Sequence, residues 1–388
     1  MKLGSIRRMY TRNPIAVQHG IKKYTTENYY WGVLPRETMC TLNELIKQKG
    51  FASALKNFDL KGMRFDYAES YDRSDFIPFL PIANEATVLD LGSGYGNITI
   101  PLAKKFKKVI AIDASFELLE FLSLRASDEG ISNIEYVNIA PLEHCDLPFR
   151  LKSFDAIILN GVLEWVGSGK TEKDPSVYQK ELLSTLAGLL KDDGVLYIAI
   201  ENRLFPGWLR RDPHSKLKWT SILPRPIANW YAYRHGFKNG YRTYIYSQWG
   251  YRKLLKNAGF TNLKFYYPYT SYRAPDFIYG DDKPVKRMLF RGKYIKKIFT
   301  RRWSIFLFLL RSVGLEDAFL SSFMIMARKG DGSFIPNFIL NKNFSNKEQL
   351  SLMKVIDKKT KERTILVFKD DSSEPIHQEF LEITMKVS

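Results

Sequence analysis

"LDLGSGYGNITIPLA" runs from Leu89 to Ala103. It joins a short apolar run ending in an acid to three glycines at alternate positions, Gly92, Gly94 and Gly96, and then to residues at helical spacing. Glycine accepts backbone angles closed to other residues, so such a turn can lead a strand straight into a helix and present bare amides to a ligand. Asp113 closes the next apolar run, "KVIAID", 17 positions beyond Gly96. A carboxylate there can accept hydrogen bonds from both ribose hydroxyls of an adenosine. Asn97 stands where the dinucleotide fingerprint has a glycine, which argues against a bound pyrophosphate.

Outward from this turn the pattern alternates. "TVLDLG", "KVIAID", "IEYVN", "FDAIILN" and "GVLYIAI" read as strands, and "NITIPLAKKF", "SFELLEFLSLRASDEG" and the run from Tyr178 to Leu190 as helices. Continuous apolar strands separated by helices imply a parallel sheet covered on both faces. Upstream, "PRETMCTLNELIKQKG" (Pro35 to Gly50) puts Met39, Leu42, Leu45 and Ile46 on one helix face. Downstream of Ile200 the rhythm breaks for about 45 residues of aromatic, basic and proline-rich sequence. It resumes with a helix in "SQWGYRKLLKNAGF" and two strands, "NLKFYYPYT" and "SFMIMARKG". The tail from Asp331 has strand-like pieces, "RTILVFKD" among them.

"VLDLGSGYG", "IAID", "FDAIILNGVLEWV" and "LLKDDGVLYIAIENR" resemble, in order and spacing, the signature motifs of class I S-adenosylmethionine-dependent methyltransferases. The resemblance covers Ala86 to Gly259. It implies an α/β, Rossmann-like fold with a mostly parallel seven-stranded sheet, helices on both faces and insertions after strands 5 and 6. The organisation expected is an N-terminal helical cap (1–85), a methyltransferase domain (86–330) with basic insertions (203–246 and 271–321), and a small C-terminal appendage (331–388). "YYWGVLP", "AIENR" and "YRTYIYSQWGYRKLLKNAGF" are similar to a narrower group associated with surface-polysaccharide and other glycoconjugate assembly.

Carried onto this chain, the pattern places Asp90 and the Gly92, Ser93, Gly94 and Gly96 loop around the methionine end of S-adenosylmethionine, with Asn160 lining the same pocket. Asp113, with Ala114 beside it, holds the ribose. Ala140 stands where many members carry an adenine-recognising acid, and Glu143 or Asp146 is the substitute.

The sulfonium methyl is already electrophilic, so the protein mainly aligns a nucleophile and excludes water, and no metal is required. An acceptor hydroxyl benefits from a base. His214, in "RRDPHSK" beyond the fifth strand, is the first candidate; a solvated surface histidine is the equal alternative. Glu164 is the second, and a carboxylate at a helix start is the plainer role for it. Glu201, Asn202 and Arg203 follow the fifth strand at the ligand-binding edge, where they serve either the site or a hydrogen-bonded turn. Tyr29, Tyr30 and Trp31 offer aromatic faces for an acceptor.

The net charge of +18 is concentrated: Lys and Arg against Asp and Glu number 24 and 26 in residues 1–202, 26 and 6 in 203–330, and 9 and 9 in 331–388. Such a block suits an acidic partner. Residues 283–314 mix cations with apolar residues and contain no acid, which fits peripheral contact with an anionic membrane or a helix packed on the sheet. Two cysteines, no secretory leader and no long apolar run lead to a cytoplasmic expectation. The function expected is methyl transfer to oxygen of a small-molecule or glycan acceptor. The alternatives are RNA methylation through the basic aromatic insertions, and a cofactor-binding partner subunit without catalysis.

Overall fold

The computed structural model describes residues 13–27, 29–58, 70–140, 147–269, 271–275, 277–280, 310, 315–332 and 334, and the strands at 338–341, 350–356, 363–369 and 379–381. The glycine turn follows a strand at Thr87–Leu91 (β3), in the middle of the sheet. The preceding strands are a hairpin, Ala16–Gln18 (β1) and Ile21–Lys23 (β2). After β3 come Lys108–Asp113 (β4), Ile134–Asn138 (β5), Phe154–Asn160 (β6) and Leu190–Glu201 (β7). Asn262–Tyr269 (β8), Phe277–Tyr279 (β9) and Ser322–Arg328 (β10) follow.

The main sheet runs β1-β2-β5-β4-β3-β6-β7-β10-β8. Strands β2 through β7 pair in parallel, and β10 lies antiparallel between β7 and β8. Among the described residues it therefore has nine strands where seven were expected. The two extra ones are the hairpin, whose β2 joins β5 at the sheet edge. Its turn residues His19 and Gly20 both have positive φ, 52° and 77°, as a tight two-residue hairpin requires. The 1–85 segment thus adds strands as well as helices.

The helices are Arg36–Lys49 (α1), Phe51–Asn57 (α2), Thr99–Lys105 (α3), Phe116–Asp128 (α4), Pro175–Leu189 (α5), Arg225–Arg234 (α6) and Gln248–Asn257 (α7). Alternate strand residues feed two cores. Leu89, Leu91, Ile157, Leu159, Leu196 and Ile198 pack with Leu182 and Leu186 of α5 and Leu255 of α7. Val88, Ile158 and Tyr197 pack on the other face with Leu102, Phe106 and Phe76, whose ring stacks on Tyr197 at 3.6 Å. Helix α1 buries Met39, Leu42 and Ile46 against Leu118 and Phe121 of α4. Ser115 precedes α4, but its hydroxyl accepts the Trp31 amide at 2.9 Å instead of capping the helix, so it moors the N-terminal segment beside the turn.

From β3 the chain builds outward to β4 and β5, then crosses back to β6 on the other side of β3. The reversal opens a crevice at the carboxyl ends of β3 and β6, the usual ligand position in such sheets. The 203–246 insertion, which showed no regular period, contains helix α6. Strand β8 pairs with β10 through residue 266 and with β9 beyond it, and a further antiparallel run follows in the order β9-β11-β12-β13-β14. Here β11 is Phe338–Asn341, β12 Leu350–Ile356, β13 Arg363–Lys369 and β14 Glu379–Leu381. Among the described residues, no helix is long and apolar enough to cross a membrane. The basic run 283–314 lies outside the described residues except for Leu310.

Candidate active site

The crevice holds a cavity of about 360 Å³ lined by Asp90, Gly92, Ser93, Gly94, Asp113, Ala114 and Asn160, together with Trp31, Arg73 and Trp165. That volume is within the range of small-molecule sites. Gly94 has φ +51° and open space where a side chain would stand, so main chain forms the wall here. Gly96 has φ +87°, and a Cβ there would meet Leu122 Cδ1 at 2.2 Å; its role is close packing of turn on helix.

The expectation of bare amides is corrected. The Gly92 and Ser93 amides both donate to the Ile112 carbonyl, at 2.8 and 2.9 Å, and the Gly96 amide to the Ser93 carbonyl at 3.0 Å. The Gly94 amide donates to Asp113 Oδ2 at 2.9 Å. The physical reason is burial: amides at a dry strand end need partners, and the neighbouring strand supplies them. What the loop offers a ligand is shape, along with the Ser93 hydroxyl and Asn160 Nδ2, two buried polar atoms without a hydrogen-bond partner among the described residues.

Asp113 accepts the Ser115 amide on Oδ1 at 2.8 Å and the Gly94 amide on Oδ2 at 2.9 Å. Burial pushes its carboxyl above the usual range, against the pull of those amides. Asp90, 1% exposed, is pushed up to about 7 by burial; the Thr99 hydroxyl, donating to Oδ2 at 2.6 Å, opposes that shift, and the Asp113 charge adds to it. Ala114 and Ala140 also line a smaller hollow with Tyr29, Trp31 and Trp165. Glu143 and Asp146 lie outside the described residues.

Beside the cavity stands a second constellation. Glu164, Glu201 and His214 bring one ligating atom each to within 4.8 Å of one another. Glu164 and Glu201 are 1% and 5% exposed, and the His214 side chain 3%, so His214 is no solvated surface residue. Its ring nitrogen Nε2 lies 3.8 Å from Glu164 Oε1, and its ring meets Trp165 edge-on at 5.2 Å. Trp165 in turn contacts Trp31 at 5.7 Å.

Each member is held by its own scaffold. Glu164 sits in a single 3-10 turn, Leu163–Trp165, too short for the helix-start role. Gln179 of α5 donates to the Leu163 carbonyl at 2.8 Å and to the Tyr244 carbonyl at 2.9 Å, fixing that turn to the 203–246 insertion. Glu201 ends β7, where the Tyr251 hydroxyl donates to its carbonyl and Arg273 to its Oε1, at 3.0 and 2.8 Å. The Tyr272 hydroxyl also donates to Oε1 at 3.2 Å, and a Cβ on Gly161 would stand 2.6 Å from that hydroxyl. The cluster therefore adjoins Asn160 and Gly161 at the cavity wall. Fully buried Asp212 shapes the His214 loop by accepting the amides of His214 and Ser215 on Oδ1 and the Ser221 amide on Oδ2.

Burial and the charge of Glu201 push Glu164 above the usual carboxylate range, against the opposing influence of His214. Burial alone would lower the imidazole of His214, but its contact with Glu164 and the charges of Glu201, Glu164 and Asp212 outweigh it and hold the ring above its ordinary value. Asn202 and Arg203 do not join the cluster. Asn202 donates to the Ala318 and Leu320 carbonyls, and Arg203 to the Ser221 and Leu223 carbonyls, so both anchor the insertion. Tyr30 is likewise structural, its hydroxyl donating to the Leu34 carbonyl. Sequence reasoning missed Arg73, Tyr272 and Arg273, which lie far from every motif and carry no local signal.

Residues 89–198 match the family model described as a methyltransferase domain. A 23S rRNA (uracil(1939)-C(5))-methyltransferase of Haemophilus influenzae is 34% identical over 86 residues, 22% of this chain and 19% of that protein. A tRNA 5-carboxymethoxyuridine methyltransferase of Escherichia coli is 30% identical over 119 residues, 30% of this chain and 40% of that one. A trans-aconitate 2-methyltransferase of Azoarcus is 27% identical over 191 residues, 45% of this chain and 64% of that one. The chain thus spans less than two thirds of the length of these relatives. Among solved structures, a Haemonchus contortus phosphoethanolamine N-methyltransferase in complex with S-adenosyl-L-methionine aligns at 14% identity, with a TM-score of 0.37 over 78% of this chain and 62% of that one. Residues 89–198 are a methyltransferase domain, of the kind whose cofactor is S-adenosylmethionine.

Proposed function

We propose that the protein transfers a methyl group from S-adenosylmethionine to an oxygen of a small-molecule or glycan acceptor. The observation that carries this reading is the adjacency of the cofactor-sized cavity, with its orphan Ser93 and Asn160 atoms, to the buried Glu164, Glu201 and His214 cluster. When bound, the cofactor supplies an electrophilic methyl on a sulfonium. The acceptor oxygen's lone pair forms the new bond, the carbon–sulfur pair stays on sulfur, and the oxygen loses its proton.

In this reading the Asp113 carboxylate holds the ribose. Asn160 Nδ2 and the Ser93 hydroxyl bind the methionine end, with Asp90 behind them as an anion for the ammonium group. Ala114 packs on the adenosine side. Glu164 and His214 activate the acceptor oxygen, and the paired rings of Trp165 and Trp31 flank it and exclude water. Half-exposed Trp31 at the rim suits a saccharide face. The acceptors named for the relatives are as different as ribosomal RNA and trans-aconitate, so the glycan class rests on this rim and on the sequence resemblance. Surface-polysaccharide precursors and a location at the inner face of a membrane belong to the same proposal.

Calorimetry with S-adenosylhomocysteine tests the cofactor half, with Asp113→Ala expected to weaken binding. Transfer of labelled methyl from the cofactor to glycan precursors, compared with transfer to RNA, tests the acceptor half. Label appearing in RNA alone overturns the glycan reading.

A further inference from the structure

We propose that Glu164, Glu201 and His214 form a divalent-cation site whose open positions take the acceptor's oxygen. The inference rests on the methyl-transfer reading and states how the cluster activates that oxygen.

The cluster is unusual in what it leaves undone. Glu164 Oε2, Glu201 Oε2 and both ring nitrogens of His214 are buried with no hydrogen-bond partner among the described residues. Two neighbours of the cluster show the opposite behaviour: Asp212 engages three amides and the Ser221 hydroxyl, and Gln179 uses both its amide atoms. An orphaned buried polar atom is costly, and a charged one more so, so four in one spot call for a ligand.

That ligand's charge follows from the donors. Two carboxylates lie together, and the Arg273 guanidinium engages Glu201 only through Oε1, so Oε2 of both acids remains. The group facing Glu164 is an imidazole at 3.8 Å, which offers a lone pair when neutral. Two carboxylate oxygens and one imidazole nitrogen suit Mn²⁺, Fe²⁺ or Zn²⁺. Around an ion with bonds of about 2.0–2.2 Å, ligating atoms lie about 3–4 Å apart, so the spread of 4.8 Å closes with small side-chain rotations. Three protein ligands leave positions for one or two oxygens from outside the chain, and a vicinal diol or hydroxy acid fills two of them. Coordination favours the acceptor's oxyanion, its proton lost to bulk solvent as the acceptor enters and before the rings close over it; the oxyanion then takes the methyl carbon as before. His214 is then a ligand, and Trp165 packed on its ring fixes its orientation.

The test is titration of chelator-treated protein with Mn²⁺, following free Mn²⁺ by electron paramagnetic resonance, alongside S-adenosylhomocysteine calorimetry on the same samples. The expected result is one ion per chain, with affinity at least tenfold weaker in Glu164→Gln and in His214→Gln and unchanged in Asp113→Ala. Retained S-adenosylhomocysteine affinity in the first two variants shows that they fold. If wild-type protein binds S-adenosylhomocysteine but no Mn²⁺, or if both cluster variants bind Mn²⁺ like wild type, the cation site is overturned and the methyl-transfer reading stands. If S-adenosylhomocysteine itself fails to bind, that reading falls whatever Mn²⁺ does.

Discussion

Around the cavity, the Gly92, Ser93 and Gly94 amides find acceptors on the next strand end, in the Ile112 carbonyl and Asp113 Oδ2, whereas Glu164, Glu201 and His214 come from three separate segments and leave four side-chain atoms without hydrogen-bond partners among the described residues. The first wall is stable on its own terms and receives a ligand by shape. The second wall is a set of side chains held in place by Gln179, Tyr251 and Asp212, with its own chemistry unspent. Substitutions should therefore separate cleanly: changes in the turn should act on folding or on cofactor affinity, and changes in the cluster on turnover.

The largest effect is expected from Glu164→Gln. It keeps the volume of the side chain but removes the charge, and methyl transfer should fall by about 10² or more, the scale of losing acceptor activation. S-adenosylhomocysteine affinity should stay within about twofold of wild type, because Glu164 is absent from the cavity lining. An equal loss in both measurements would dissolve the distinction between the walls.

Two glycines in one loop sharpen it further. Gly96→Ala places a Cβ against buried Leu122 at a positive φ, and urea unfolding should show a loss of about 2–4 kcal/mol. Gly94→Ala meets nothing within 4 Å, so it should cost only about 1 kcal/mol of stability, the left-handed backbone penalty. Its methyl intrudes on the cavity instead, and S-adenosylhomocysteine affinity should fall about tenfold or more by calorimetry. Reversal of the two phenotypes would mean that the loop contacts its ligand at Gly96. Asp113→Ala removes the acceptor of the Gly94 and Ser115 amides along with the proposed ribose contact, and affinity should fall about 10- to 100-fold.

The same division decides what could be read from the chain. The strand–turn–helix at Thr87 to Lys105 and the acid at Asp113 are consecutive features with a physical reason for their spacing, and the structure sets them around one cavity. Occupancy of the turn amides was not legible, because their acceptor is the Ile112 carbonyl of a different strand. The hairpin Ala16 to Lys23 was missed because three-residue strands carry no period, and its outer strand is exposed throughout. His214 and Glu164 were singled out separately, one for following the fifth strand and the other the fourth. Their meeting with Glu201, under Tyr272 and Arg273, depends on how the insertions fold back over the sheet edge.

The smallest expected effect concerns Asp90, which stands behind the first wall with a carboxyl pushed up to about 7 by burial. In the folded, ligand-free protein this group holds its proton over a window, from about 4 to about 7, in which the unfolded chain has released it. The native state binds more protons there, so stability is highest at the acid end of the window and falls as pH rises toward 7. A cationic ligand group placed beside Asp90 reverses the preference, since it favours the carboxylate. Affinity for S-adenosylhomocysteine, whose methionine end carries an ammonium, should accordingly rise about tenfold between pH 6 and pH 8 as Asp90 gives up its proton. Asp90→Asn can still accept the Thr99 hydroxyl through its side-chain oxygen but cannot titrate, so its affinity should be lower at pH 8 and nearly flat across the range. Calorimetry at three pH values measures both slopes. A variant that retains the wild-type slope would move the titrating group from Asp90 to Asp113, the other buried acid of the turn, whose carboxyl is raised by the same burial.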